Sequence, residues 1–189
     1  HVLSSTVPNC VSYDPTFVYE VATIVRHGLQ RMYGDNENVY FYITLMNENY
    51  AHPAMPEGVE DGIIRGIYKL ESQPAKQKKS ALAVRLLGSG TILNEVREAA
   101  TILAEQYNVA SDVFSVTSFT ELARDGQHVE RWNRLHPASR PRSAFVQETL
   151  GEADSPVIAS TDYMRLFAEQ VRAWIPGDYT VLGTDGFGR

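Results

Sequence analysis

The chain has 189 residues, 43% of them hydrophobic, and carries 17 Lys and Arg against 23 Asp and Glu for a formal charge of −6. That length and apolar content suit one large domain, or one small domain plus part of another. The acidic balance argues against a nucleic-acid or anionic-membrane binder, and no apolar run approaches the ~20 residues that cross a bilayer. Cys10 stands alone, so an internal disulfide framework is excluded. No charged segment followed by an apolar one marks a signal peptide, and a reducing cytoplasm fits the whole. The chain opens at His1 and closes on the loop-like stretch from Gly183 to Arg189, so it is expected to be a piece of a longer protein.

Asp14-Pro15 predicts a helix start, with Asp14 accepting from free N–H groups and Pro15 at the first helical position. Phe17, Val18, Val21, Ile24, Val25, Leu29 and Met32 follow as one stripe at helical spacing, and Gly34 is a natural stop. Val39–Leu45 is apolar on both faces and reads as a buried parallel strand. Glu60–Glu71 is a short helix or a helix–strand mix. The polar, basic segment 72–80 lacks periodicity and predicts a linker. A second unit then opens with a strand over Ala81–Leu87, a turn at Gly88-Ser89-Gly90, and a helix capped by Thr91. That helix carries Ile92, Leu93, Val96, Ala99, Ala100, Leu103 and Tyr107 on its stripe, and a strand over Asp112–Val116 follows. Strand, helix and strand make a right-handed crossover. Ser118 and Glu121 match a capping box for a short helix, and a separate helix is expected over Gln127–Leu135. A short strand over Ser155–Ala159 precedes a helix capped by Thr161 or Asp162 and faced by Met164, Phe167, Val171 and Trp174. Pro176-Gly177 ends that helix, and Tyr179–Leu182 is the last strand. Alternating strands and helices define an α/β class with a mainly parallel sheet.

The most informative segment is the polar cluster Asn47–Gly58, which follows the apolar strand. Ligands of open α/β sheets bind beyond the carboxyl ends of strands, and packed amide, carboxylate, phenol and imidazole groups are costly to desolvate. Position alone leaves function and structure equally open there. The Gly88-Ser89-Gly90 turn lacks the rest of a dinucleotide fingerprint, since Leu stands at 93, and reads better as a tight turn needing a positive φ. His52, His128 and His136 have no metal-ligand spacing. No Gly-x-Ser-x-Gly elbow is present. Glu57, Glu60 and Asp61 read as the solvated first turn of a helix, and Tyr40, Phe41, Tyr42 and Tyr50 as core rather than a stacking platform.

Longer motifs identify a resemblance: 8–15, 37–44, Asn47-Glu48-Asn49-Tyr50, 53–58, 66–71, 117–126, 160–164, 166–170 and 182–189. Together they resemble the homodimeric bacterial pyruvate dehydrogenase first component, a thiamine-diphosphate-dependent decarboxylase related to transketolase. The resemblance runs from end to end. It implies the tail of a middle, pyrimidine-binding domain over 1–71, a linker over 72–80, and an incomplete transketolase-like C-terminal domain over 81–189. It implies that thiamine diphosphate and Mg2+ serve the parent, with the diphosphate and metal site outside this chain. The implied partners are a second copy, the dihydrolipoyl acetyltransferase core and pyruvate, with no nucleic acid and no membrane. His1 corresponds to the last histidine of the family's active-site segment, where an imidazole passes protons to the intermediate or stabilises its charge. Asn47, Glu48, Asn49 and Tyr50 are cleft candidates for orienting substrate or supporting the site, and a direct role for His52 is not expected. The isolated chain is expected to be inactive. Two alternatives stand beside this reading: a non-catalytic dimerisation or docking module for the complex core, and a related thiamine-dependent enzyme for another 2-oxo acid or a ketose.

Overall fold

The structure, a computed structural model, describes residues 1–77, 82–152 and 154–186. Two sheets organise them. The smaller pairs β1 (Cys10–Tyr13) with β2 (Tyr40–Ile43) in parallel, and helix α1 (Val18–Leu29) connects the two strands through one further π-helical turn over Gln30–Gly34. The larger sheet has five strands: β3 (Tyr68–Gln73), β4 (Leu82–Gly88), β5 (Val109–Ser115), β6 (Val157–Met164) and β7 (Tyr179–Thr184), in the order β3-β5-β4-β6-β7. All its pairs are parallel except β3 with β5. Helices α2 (Glu60–Arg65), α3 (Ile92–Tyr107), α4 (Phe119–Leu135), α5 (Phe145–Leu150) and α6 (Leu166–Glu169) complete the α/β fold.

The expected crossover of the second unit is present as β4, α3 and β5. The alternate residues Val84 and Leu86 are buried, and α3 covers them with Leu93, Val96 and Ala100. The other face of the sheet carries a larger core, in which Leu87, Phe119, Leu122, Val157 and Phe167 are essentially inaccessible. Full burial of such a side chain stabilises by about 1.5–3 kcal/mol.

Several expectations need correction. Helix α1 begins at Val18 rather than at Pro15, and its entry is satisfied by Glu20, whose Oε2 accepts from the N–H groups of Thr16 at 2.6 Å and Phe17 at 2.8 Å. Its buried face is Glu20, Thr23, Ile24 and Gly28, while Val18, Val25 and Leu29 are exposed. The expected apolar stripe is therefore split, with Phe17 and Ile24 buried and Val18, Val25 and Leu29 facing out. Strand β2 is not buried on both faces, since Tyr40 is 46% and Tyr42 43% exposed. The linker expected from 72 gives way to strand at its start, because Ser72 and Gln73 belong to β3 and pair with Asp112 and Ser111. Its residues 78–80, like Ala81 of the following strand, lie outside the described residues. Thr91 makes no side-chain cap; its hydroxyl donates to Asp162 Oδ2 at 3.0 Å. The two helices expected between 118 and 135 are one, α4, capped as foreseen by Ser118 Oγ accepting from Glu121 N at 3.0 Å. Thr161 and Asp162 cap no helix but continue β6 to Met164, leaving only a short α6 and a 3-10 turn at Arg172–Trp174. Helix α5 was not anticipated.

The two sheets are joined by polar contacts rather than by apolar packing alone. Glu20, fully buried, also accepts through Oε1 from Tyr68 OH of β3 and Ser115 Oγ of β5, both at 2.6 Å. Burial raises its pKa, and these four donors oppose the rise. Ser118 Oγ donates to the Ser12 carbonyl at 2.6 Å, and Arg124 donates to the Cys10 and Val7 carbonyls at 2.8 and 3.0 Å. Replacing Glu20 with Ala orphans buried donors on three segments, each costing about 1–3 kcal/mol. The expected outcome is a loss of about 3 kcal/mol or more of unfolding free energy for Glu20→Ala, read from urea titration of tryptophan fluorescence, with Val25→Ala on the exposed face changing it by less than about 0.5 kcal/mol.

Candidate active site

Four strand ends converge on one carboxylate. Asp14 follows β1, Thr44 follows β2, Gly88-Ser89-Gly90 follows β4, and Asp162 and Tyr163 lie at the end of β6. In an α/β sheet these are the ends at which ligands sit. Asp14 is buried and held on both sides: its N–H donates to the Thr117 carbonyl at 2.7 Å, and its own carbonyl accepts from Gly90 N at 3.1 Å. Gly90 has φ +59°, and a Cβ there would stand 3.0 Å from both carboxylate oxygens of Asp14. Close approach, besides backbone conformation, therefore requires glycine. The Gly90 N–H is already committed to Asp14, which supports reading the turn as structural rather than as a phosphate cradle.

The side chain of Asp14 leads to His1. Thr44 Oγ1 donates its single proton to Asp14 Oδ1 at 2.6 Å, and His1 Nε2 lies 3.1 Å from the same hydroxyl oxygen. Since that proton is spent on the carboxylate, the imidazole must be the donor, which assigns the tautomer with hydrogen on Nε2. His1 Nδ1 then carries the lone pair, and it is buried with no hydrogen-bond partner among the described residues. Around the ring stand Tyr42, Tyr163 and Phe167, with centroids 5.3, 4.9 and 4.6 Å away. The segment is anchored by Ser4, whose Oγ donates to the His1 carbonyl at 2.6 Å and meets Ser12 Oγ at 2.7 Å. Tyr163 OH donates to Asp14 Oδ1 at 3.4 Å; burial first, then the Asp14 charge, pushes its phenol up to about 12.

Burial raises Asp14 to about 6, with the nearby Asp162 charge adding to the rise and hydrogen bonds from Thr44 and Tyr163 opposing it. The arrangement holds an acceptor nitrogen beside a carboxylate poised near neutrality, in an aromatic, poorly hydrated pocket. It suits proton transfer at His1 Nδ1. No Lys or Arg donates a hydrogen bond to Asp14, Thr44 or His1 among the described residues. A diphosphate does not fit this acidic donor set.

The predicted cleft residues are placed differently. Asn47, Glu48 and Asn49 lie exposed in the loop after β2. Tyr50 folds back, its hydroxyl donating to the Thr16 carbonyl, and its ring lies 4.9 Å from His52. His52 Nδ1 accepts from Val18 N at 3.2 Å, capping α1. The structure brings His1 together with Thr44 and Asp14, not with 47–50. Asp14, Thr44 and Tyr163 escaped the sequence reading as site residues. The strand-end rule would have selected Asp14 had β1 been recognised, but Asp14-Pro15 looks like a helix start.

Two families match in tandem. The pyruvate dehydrogenase E1 component middle domain matches residues 1–53, and the transketolase-like TK C-terminal domain matches residues 66–189. The chain belongs to the transketolase-like C-terminal domain family. The resemblance to the pyruvate dehydrogenase first component also holds along the whole transketolase-like chain. It is 62% identical to the pyruvate dehydrogenase E1 component of Escherichia coli (strain K12) and 56% identical to that of Pseudomonas aeruginosa, in each case over 100% of this chain and 21% of the relative. It thus spans about a fifth of the length of these curated relatives. Among solved structures, a transketolase from Campylobacter jejuni superposes with TM-score 0.60 at 16% identity, over 100% of this chain and 23% of that one. That likeness concerns the fold.

Asp14 makes stability depend on pH in a stated direction. Between its ordinary value of 3.8 and about 6, the folded protein holds a proton that the unfolded chain has released. Stability from this group is therefore full below that window and is lost as pH rises through it. Urea midpoints of Asp14→Asn, measured against the unaltered chain, should gain on it from pH 3.8 to about 6 and then stay level.

Proposed function

We propose that this chain is part of a pyruvate dehydrogenase, acetyl-transferring, which decarboxylates pyruvate with thiamine diphosphate and passes the acetyl group to the lipoyl group of a dihydrolipoyl acetyltransferase. The enzyme acts as a homodimer within a cytoplasmic complex. Identity above half to pyruvate dehydrogenase E1 components supports the reaction class. The single observation that carries the site is the line Asp14–Thr44–His1, which ends in a buried, unpartnered imidazole nitrogen.

Thiamine diphosphate, held with Mg2+ by parts of the protein outside this chain, supplies the nucleophilic carbon and the electron sink for decarboxylation. The residues here supply proton control. His1 Nδ1 accepts a proton from, or a hydrogen bond of, the reacting oxygen. Thr44 and Asp14 fix the ring's tautomer and stabilise the imidazolium formed, since a proton gained at Nδ1 is balanced by the carboxylate two hydrogen bonds away. Tyr42, Tyr163 and Phe167 keep water off the ring, which strengthens these interactions. Asn47, Glu48 and Asn49 remain candidates for contact with substrate from the loop after β2, and Tyr50 holds that loop against α1.

The test uses the full-length protein with thiamine diphosphate, Mg2+ and an artificial electron acceptor, comparing pyruvate with 2-oxobutyrate and 2-oxoglutarate. Strong preference for pyruvate is expected; no turnover of any 2-oxo acid would refute the reaction. In the same assay Thr44→Val, which keeps shape but breaks the line, should lower kcat by about 10- to 100-fold, while Thr44→Ser restores most of it. The isolated chain should show no saturable thiamine diphosphate binding by calorimetry, and micromolar binding would contradict the placement of the diphosphate site elsewhere.

A further inference from the structure

The end of β6 is irregular in a way the rest of the sheet is not. β6 and β7 stay in step from Val157 with Tyr179 to Ser160 with Leu182. From Ser160 to Met164 β6 then advances four residues, while β7 advances two, from Leu182 to Thr184. β6 therefore bulges over 161–163. Bulges bend a strand, re-aim its side chains, and are over-represented next to active sites. This one is fixed in place: Tyr163 N donates to Thr161 Oγ1 at 3.2 Å, and Arg165 N donates to the Thr184 carbonyl at 2.9 Å. Gly183 stands opposite, where a Cβ would lie 2.8 Å from the Tyr163 carbonyl oxygen, so β7 can approach the bulge only with glycine there.

The bulge aims Tyr163 at the site. Its ring packs edge-on against the buried Phe167, with centroids 5.4 Å apart, and its hydroxyl reaches Asp14 Oδ1 across 149 positions of sequence. Oδ1 thus takes two donors, Thr44 Oγ1 from the end of β2 and Tyr163 OH from the end of β6. Both favour the ionised carboxylate. The other titratable groups facing Asp14 are His1 through Thr44, Asp162 beside Tyr163, and Tyr50 from the loop after β2, with Tyr42 next to Tyr163. The turn after β4 brings Ser89 and no charge. The Tyr50 hydroxyl is committed to the Thr16 carbonyl, and the Asp162 charge opposes ionisation. Ionisation of Asp14 matters to His1. A neutral Asp14 has a proton to give Thr44 Oγ1, which frees the threonine hydrogen for His1 Nε2 and selects the tautomer with hydrogen on Nδ1. The buried nitrogen is then a donor instead of an acceptor.

We propose that Tyr163 is a positioning residue for the reaction proposed above: its hydroxyl, delivered by the β6 bulge, keeps Asp14 ionised and turned to Thr44, so that His1 Nδ1 stays an acceptor. The inference rests on that reading of the reaction. It adds a residue of the transketolase-like C-terminal match to a line otherwise drawn from 1–53. At 3.4 Å the contact is long for a hydroxyl donor, so its removal shifts a protonation equilibrium rather than abolishing activity.

The test uses the full-length protein with thiamine diphosphate and Mg2+, and compares Tyr163→Phe, which keeps the ring, with Tyr107→Phe at an exposed position on α3. In Tyr163→Phe the acid limb of kcat should move up by about one pH unit, so that kcat falls about fivefold near pH 6 and less than about twofold near pH 8, with KM for pyruvate little changed. Tyr107→Phe should move neither. Urea midpoints read the same contact without turnover. The range over which Asp14 loses stability as pH rises should extend beyond about 6 in Tyr163→Phe, and that extension should vanish when Asp14→Asn is added. An acid limb that stays in place, a loss of kcat equal at every pH, or a urea profile parallel to that of the unaltered protein would each overturn the proposal. Failure of the reaction itself is distinct: the unaltered protein would then not turn over pyruvate, and the role of Tyr163 would fall with it while the urea series still reported the contact.

Discussion

A carboxylate with no access to water has to be satisfied by the protein, and Glu20 shows what that demands. Its two oxygens take four hydrogen bonds, two from the entry to α1, one from β3 and one from β5. Three segments far apart in the chain are held in position by one side chain, because any displacement leaves a buried charge or a buried donor unpaired. The small sheet lacks an extensive core of its own: Val11, Tyr13 and Ile24 pack with Ile63 of α2 and Tyr68 of β3. Its place against the large sheet is set by this polar junction, and so is the position of Asp14 a few residues before Glu20.

The site inherits that arrangement. Asp14 stays buried because its backbone is tied to Thr117 and Gly90, and Gly90 comes close because it has no side chain. A carboxylate so placed costs stability at neutral pH, a common feature of groups retained for chemistry rather than for folding. Thr44 passes the effect of that carboxylate to His1, so the half-buried imidazole is oriented by a group it does not touch.

How much of this was readable beforehand depended on what kind of force placed each residue. The crossover β4–α3–β5 was legible because burial there is apolar and periodic: Val84 and Leu86 in the strand, Leu93, Val96 and Ala100 in the helix. The orientation of α1 was not, because hydrogen bonding decides it. Glu20 and Thr23 face inward where an apolar stripe would have been expected, and Val18, Val25 and Leu29 face outward. The end of β6 was mistaken for a helix because Thr161 and Asp162 have the chemistry of a cap, yet Asp162 instead receives the Thr91 hydroxyl. His1 was identified through resemblance alone; its partners Thr44 and Asp14 were hidden because β1 is only four residues long and the Asp-Pro pair after it imitates a helix start. The site lies where strand ends meet, as the architecture implies, but the polar loop at 47–49 that drew attention in the sequence remains outside the hydrogen-bonded line.

The junction also links residues that are synthesised far apart. β1 receives donors from Ser118 and Arg124, more than a hundred positions later, and Glu20 waits for Ser115. During vectorial synthesis these contacts cannot close until β5 and the start of α4 have left the ribosome, so β1 and the entry to α1 meet these polar partners only after some hundred further residues have been made.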